Sequence, residues 1–275
     1  MKSACVPILR RLAFPLLAAV FAYGPLLGKV VSFEVESEYQ NGKREIRVLP
    51  PDDYSPAKKY RVLYVLPVEP GFESRYGYGL GLLEKMDVHN RRDLILVQPG
   101  FEKTPWYGDH DTDPKTRQES HLLRFVVPYV EERYSVLNGP EGRLLFGFSK
   151  SGWGAFSLIL RRPDFWGYAA GWDMPANLPA TRFGLGKLFG SAEQLAKHRP
   201  DLLARAASAA PLKKRKRLVL TGSKGWGAHV RSFHQALVAA KLPHHFDDTL
   251  AHPHRWDERW VGPTLDALLK LTETK

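Results

Sequence analysis

Apolar and polar side chains alternate near the start of the chain, and nearly continuous apolar runs follow. Residues 30–36 and 44–49 alternate in the way that predicts two half-exposed strands, with a hairpin turn at Asn41-Gly42. The later runs are short and apolar at nearly every position, which is typical of strands buried on both faces of a parallel sheet. They cover residues 60–66, 93–97, 143–148, 167–172 and 217–221, and a last strand is predicted at about 244–250.

Stretches with helical spacing lie between these strands, at roughly 78–90, 117–133, 151–161, 191–207, 227–240 and 258–271. Strands and helices therefore alternate after an opening hairpin. This order predicts an α/β fold, namely a doubly wound, mostly parallel sheet of about eight strands with an N-terminal antiparallel hairpin. Residues 29–275 are expected to form one such domain. Ligands of these sheets bind beyond the carboxyl ends of the strands, so the chemistry is expected there.

The first 28 residues have a different pattern. Three basic residues precede an uncharged, mostly apolar run over residues 12–28, which two prolines interrupt. The run is short for a bilayer span, so residues 1–28 are predicted to be a signal peptide or N-terminal leader. The mature protein is then expected to be secreted, or to lie in the periplasm or cell envelope, without a stable membrane span. The only cysteine, Cys5, lies in this segment, so no disulfide is expected elsewhere.

The net charge of +11 changes this picture little. Five consecutive basic residues at 213–217 stand at the entrance of a predicted strand. A run in that position is typical of a solvated loop. Neither the charge nor the run therefore predicts a nucleic-acid partner.

The clearest chemical motif is the hexapeptide Gly-Phe-Ser-Lys-Ser-Gly that begins at Gly147, between an apolar strand and a helix. This placement predicts a nucleophile elbow, a sharp turn that holds a nucleophile in strained backbone geometry. The turn needs small residues two positions before and after the nucleophile. Ser149 has Gly147 and Ser151 there, whereas Ser151 would have Trp153. Ser149 is therefore the predicted nucleophile, and the N–H of Lys150 is a predicted oxyanion donor.

The catalytic base is expected late in the chain, because the order associated with this elbow is serine, acid, histidine. His252 and His254 both follow the last predicted strand, and sequence order alone does not choose between them. Together with His244 and His245 they also suggest a metal site. No cysteine or clear carboxylate partner accompanies them, so no metal is predicted.

Two motifs resemble those of a known family. The segment GFSKSGWGA at residues 147–155, and a late His-x-Trp followed by a further Trp, resemble the esterase D-like, feruloyl esterase-like branch of the α/β-hydrolase superfamily. That branch contains feruloyl and acetyl-xylan esterases, enterochelin esterases and formylglutathione hydrolases. The resemblance covers roughly residues 55–270 and implies an α/β-hydrolase fold. It selects His254 as the base, because Trp256 stands two positions later and Trp260 fits the next aromatic.

The acid departs from the pattern of that family, which places it after the strand at 217–221. Here the following loop, residues 221–229, contains no carboxylate. Asp173 is the preferred candidate, because it follows the preceding strand and some α/β-hydrolases place the acid there. The acid must reach Nδ1 of the histidine to fix its tautomer and stabilise its cation. Asp247, Asp248 and a Ser–His pair without an acid are the alternatives.

The second oxyanion donor in this fold comes from the loop after the third strand, which is residues 67–71 here. Because the prolines of that loop lack an N–H, Val68 or Glu69 is expected to supply it. Aromatic residues at or near strand ends are predicted to line a pocket for an acyl or sugar group, namely Trp106, Tyr107, Trp172 and Trp226.

Together these residues predict a serine carboxylesterase-type hydrolase that works through an acyl-enzyme and needs no cofactor. The expected substrate is a small-molecule ester, or an acyl or feruloyl ester on a polysaccharide. Two alternatives stay open. One is an acyltransferase with the same triad, and the other is a non-catalytic hydrolase-fold binding protein, which the empty acid loop suggests.

Overall fold

Eight strands form one sheet in the computed structural model, which describes residues 29–222 and 224–273. The order across the sheet is β1-β2-β4-β3-β5-β6-β7-β8. The pairs β1–β2 and β2–β4 are antiparallel, and all the other pairs are parallel. The strands are β1 Val31–Glu36, β2 Lys43–Leu49, β3 Arg61–Val65, β4 Leu94–Pro99, β5 Arg143–Phe148, β6 Tyr168–Trp172, β7 Leu218–Thr221 and β8 His245–Asp247. The mostly parallel sheet with an N-terminal antiparallel hairpin is therefore confirmed.

Helices cover both faces of this sheet. Helices α1 and α10 pack on one face, and α4, α5 and α9 pack on the other. A π-helical stretch at Leu122–Val126 joins α3 to α4, and 3-10 helices cover Pro140–Gly142 and Ala207–Lys214. The α-helices are α1 Gly79–Lys85, α2 Val88–Arg91, α3 Gln118–His121, α4 Val127–Arg133, α5 Lys150–Arg161, α6 Leu185–Phe189, α7 Ala192–Ala196, α8 Pro200–Leu203, α9 Gly227–Ala239 and α10 Glu258–Glu273.

Two helix predictions are wrong in detail. The helix expected over 191–207 is divided into α7, α8 and the start of a 3-10 helix. Pro200 lacks an N–H and forces the preceding residue out of helical geometry, and Arg199 is indeed extended at φ −69° and ψ 121°. The helix expected over 78–90 is broken between α1 and α2, where Asp87 is left-handed at φ 55°.

The leader predicted at residues 1–28 lies outside the described residues and stays a prediction. Within the described part of the chain, no helix is both long enough and apolar enough to cross a bilayer.

The strand register brings the ends of three central strands to the same level. Phe148 at the end of β5 is paired with Trp172 of β6, and Trp172 is paired with Thr221 of β7. The next residues along the chain, Ser149 and Asp173, therefore leave the sheet side by side. This carboxyl edge is where the candidate site lies.

Candidate active site

Ser149 occupies the sharp turn between β5 and α5. Its backbone has φ 52° and ψ −125°, a region that L-residues rarely adopt and that stores strain at functional positions. A side chain at Gly147 would place a Cβ 2.6 Å from the backbone of Ser151, so only glycine fits there. The predicted need for small residues around Ser149 thus has a direct steric cause.

Ser151 has a role that the sequence did not reveal. Its hydroxyl accepts a hydrogen bond from the N–H of Phe148 at 3.0 Å and donates one to the carbonyl of Phe148 at 2.8 Å. This side chain therefore ties the first turn of α5 to the end of β5. A serine in the first turn of a helix commonly bonds to nearby backbone in this way. The position of Ser151 at the start of a predicted helix is therefore the sequence signal that could have indicated this role.

A chain of hydrogen bonds joins Ser149, His254 and Asp173. Nε2 of His254 lies 3.0 Å from Oγ of Ser149, and Nδ1 lies 2.7 Å from Oδ2 of Asp173. Asp173 is fully buried, and its other oxygen accepts the backbone N–H of Trp226 at 2.6 Å. A carboxylate beside Nδ1 keeps the proton on that nitrogen and leaves Nε2 free to accept a proton from the serine.

The loop after β7 supports the acid through its backbone, although it contains no carboxylate of its own. Trp226 donates its N–H to Asp173, and a Cβ added to Gly225 would lie 3.1 Å from Oδ2 of the same aspartate. The absence of a side chain at Gly225 lets the loop approach this closely. Asp247, an alternative acid, instead accepts hydrogen bonds from the N–H and the hydroxyl of Thr249.

The two late histidines have different surroundings. His254 packs against Phe148 with ring centroids 4.9 Å apart, whereas His252 packs against Trp260 at 5.2 Å. Trp260 also donates its indole N–H to the carbonyl of Pro253 at 2.9 Å. The tryptophan of α10 thereby anchors the residue that precedes His254, and this contact helps to hold the imidazole between serine and aspartate.

The predicted oxyanion donors lie on two segments that a pair of side chains connects. Lys150 is the first residue of α5, where helical geometry leaves the N–H without an internal acceptor. In the described residues, the N–H groups of Lys150, Val68 and Glu69 have no hydrogen-bond acceptor. The ammonium of Lys150 lies 2.7 Å from a carboxylate oxygen of Glu69. Tyr107 donates its hydroxyl to the carbonyl of Pro67.

Three of the four aromatic residues predicted to line a pocket are instead buried in the protein. Trp106 packs edge-on against Trp153 with ring centroids 5.4 Å apart, and Trp172 stacks on Phe148 at 5.8 Å. Tyr107 lies beneath α5, where burial raises the pKa of its hydroxyl well above the ordinary value and keeps it a donor. These side chains are buried because strand ends here are covered by helices and loops rather than left open.

Trp226 is the partly exposed member of that predicted set. It packs edge-on against Phe183 with ring centroids 6.3 Å apart, and the side chain of Phe183 is 57% exposed. Phe183 also stacks on Trp106 at 6.3 Å and has a positive φ of 51°. An exposed aromatic surface therefore lies next to the loop that supports Asp173.

Comparison with solved structures identifies the fold. The chain is similar to a ferulic acid esterase at 22% identity and a TM-score of 0.69, covering 90% of this chain and 98% of that one. It is similar to fluorophosphonate-binding serine hydrolase F of Staphylococcus aureus at 17% identity and a TM-score of 0.70, covering 90% and 99%. It is also similar to an S-formylglutathione hydrolase of Staphylococcus aureus at 16% identity and a TM-score of 0.69, covering 89% and 98%.

The protein therefore has the α/β-hydrolase fold. The family model described as "Putative esterase" matches residues 37–215, and the chain belongs to this esterase family. It is accordingly an enzyme, a hydrolase of carboxylesterase type.

Proposed function

We propose that the chain hydrolyses carboxylic esters through an acyl-enzyme formed on Ser149. Oγ of Ser149 attacks the ester carbonyl while Nε2 of His254 takes the hydroxyl proton. The oxyanion is held by the N–H of Lys150 and that of Val68 or Glu69. The tetrahedral intermediate then expels the alcohol, which receives the proton from His254. Water, activated by the same imidazole, attacks the acyl group and releases the acid and free Ser149.

The observation that carries this proposal is the continuous chain of hydrogen bonds from Asp173 through His254 to Ser149. In this arrangement the buried carboxylate stabilises the imidazolium that forms when the serine proton is transferred. The strained backbone of Ser149 at the start of α5 supports the same assignment, since it presents Oγ beyond the sheet edge.

The test is labelling with a fluorophosphonate, followed by mass spectrometry of the modified peptide. An adduct on Ser149 is expected in the wild type, and its loss is expected in His254→Ala. His252→Ala is the matched control, because this neighbouring histidine packs on Trp260 instead of contacting Ser149. Its replacement is expected to leave labelling of Ser149 intact. A folded wild-type protein that acquires no adduct on Ser149 would refute the mechanism.

We further propose that the substrate is an acyl or feruloyl ester carried on a polysaccharide. The exposed aromatic surface of Phe183 and Trp226 supports this, since flat apolar faces bind aromatic and sugar rings. The chain is also similar to a ferulic acid esterase. Release of ferulate from feruloylated arabinoxylan and of acetate from acetylated xylan would be measured, with p-nitrophenyl acetate as reference. Activity on the reference ester alone would contradict this substrate class while leaving the mechanism intact.

The same assay separates hydrolysis from acyl transfer. With an added alcohol acceptor, a hydrolase is expected to yield mainly the free acid, whereas an acyltransferase would yield mainly the new ester. If the new ester were the dominant product, the enzyme would be an acyltransferase, and hydrolysis would not be its main reaction.

A further inference from the structure

An ion pair joins the nucleophile elbow to the oxyanion loop, here defined as residues 67–69. Nζ of Lys150 lies 2.7 Å from Oε1 of Glu69, and the two residues are 81 positions apart in the chain. Lys150 directly follows Ser149, and Glu69 stands in the loop after β3. Two of the three residues whose backbone N–H groups are oxyanion candidates therefore also hold each other through their side chains.

The surroundings of this pair favour an energetic role. The side chains of Lys150 and Glu69 are only 17% and 27% exposed, so water and salt screen the attraction weakly. A second pair, Lys43–Glu34 on the hairpin, has the same 2.7 Å separation, but its side chains are 64% and 66% exposed. Ion pairs exposed to that degree contribute little. The Lys43–Glu34 pair can therefore serve as a control, since it has the same nitrogen–oxygen distance but is exposed to solvent.

The oxyanion loop needs such support because it contains neither helix nor strand. Pro67 cannot hold the loop through an N–H, since proline has none. At the start of the loop, the carbonyl of Pro67 accepts a hydrogen bond from the hydroxyl of Tyr107. At its end, the carboxylate of Glu69 is bound by the ammonium of Lys150. Oxyanion stabilisation depends on donors that are in place before charge develops, and displacements of about 1 Å are costly.

We propose that Lys150 and Glu69 are positioning residues whose ion pair fixes the spacing between the two halves of the oxyanion hole. This inference rests on the proposed acyl-enzyme function. The pair acts on the transition state through the backbone donors that it holds in place. It is therefore expected to affect kcat much more than KM.

The test is a double-mutant cycle on ester hydrolysis with Lys150→Met, Glu69→Gln and the double variant. Each single variant is expected to lower kcat about tenfold with KM changed less than about twofold. The double variant is expected to be no slower than either single one, because the same contact is lost in all three. Lys150→Arg retains the ion pair and is expected to recover most of kcat. Lys43→Met is the control, with unchanged kcat and KM.

Two results would overturn the proposal. One is a double variant whose loss in kcat equals the product of the two single losses, and the other is a Lys150→Arg variant as slow as Lys150→Met. Circular dichroism and the melting temperature identify any variant that fails to fold. Lys150→Gln then replaces Lys150→Met, and Glu69→Asp, whose shorter side chain withdraws the carboxylate, replaces Glu69→Gln. Failure of the proposed function is distinct, because the wild type itself would then lack both hydrolysis and the fluorophosphonate adduct on Ser149.

Discussion

Replacing Asp173 by asparagine tests the most specific feature of the site. The aspartate is fully buried and accepts two hydrogen bonds, one from Nδ1 of His254 at 2.7 Å and one from the N–H of Trp226 at 2.6 Å. Asparagine has nearly the same shape, but it offers one acceptor oxygen and one donor amide in place of two acceptors. It therefore cannot satisfy both donors.

Either orientation of the new side chain lowers activity. If the amide oxygen keeps the bond to Trp226, the NH₂ group faces Nδ1 of His254 and forces the proton onto Nε2, which can then no longer accept one from Ser149. If the oxygen faces His254 instead, the N–H of Trp226 is left unpaired, at a cost of about 1–3 kcal/mol. Both orientations lose the charge that stabilises the imidazolium. We expect kcat to fall about 10⁴-fold, as for the equivalent change in other serine hydrolases.

The assay is hydrolysis of p-nitrophenyl acetate by purified Asp173→Asn, with a thermal melt to show that the variant is folded. Asp247→Asn is the control, since the Asp247 carboxylate accepts its hydrogen bonds from Thr249. This substitution is expected to change kcat by less than about twofold. A folded Asp173→Asn variant that loses less than about tenfold in kcat would refute the assignment of this residue as the triad acid.

Two further predictions concern stability. Gly154→Ala would place a Cβ 2.0 Å from the ring of Tyr107, so urea unfolding should show a net loss of about 2 kcal/mol despite the better helix propensity of alanine. Gly262→Ala in α10 meets nothing closer than 3.9 Å and should be neutral or stabilising; equal effects of the two changes would contradict the packing argument. Burial alone would raise the pKa of Glu119, but the Arg161 guanidinium and the His198 imidazole together outweigh it and hold this pKa at about 2, below the ordinary 4.5. Because the folded-state pKa is depressed, this carboxylate stabilises the fold above pH 4.5 by about 3 kcal/mol and loses that contribution as the pH falls toward 2. The difference in unfolding free energy between wild type and Glu119→Gln should therefore narrow as the pH falls from about 4.5 toward 2. A difference that stays constant with pH would refute this role of the carboxylate.

The sheet and the elbow were predictable because their signals are local. After its first residue, Arg143, the run to residue 148 contains no charged or polar side chain, which is typical of a strand covered on both faces, and these five residues are all buried. The elbow has its signal in the small residues around Ser149, where Gly147 avoids a clash with Ser151. The strand register then brings Asp173 beside the serine without any further information.

Other features depend on contacts between distant parts of the chain. The ion pair between Lys150 and Glu69 links positions 81 apart, and no periodic pattern encodes it. Tyr107 stands in a loop in a polar stretch of the sequence, yet it is buried because Gly154 leaves room for its ring. The division of segment 191–207 is instead a local effect, because Pro200 interrupts the single helix that the helical spacing predicts.

The position of the acid directly after β6 leaves the loop after β7 free to change. Because Asp173 itself supplies the carboxylate, the described residues of that loop support the triad through backbone, namely the N–H of Trp226 and the close approach at Gly225. Most side chains of this loop can therefore be randomised without removing any reacting group. A library built here would keep Gly225 and also Gly222, which has φ 98° and where a Cβ would lie 2.8 Å from Trp260; it would vary the rim of the site while preserving its chemistry. This makes the loop the natural starting point for engineering new ester specificities into this scaffold.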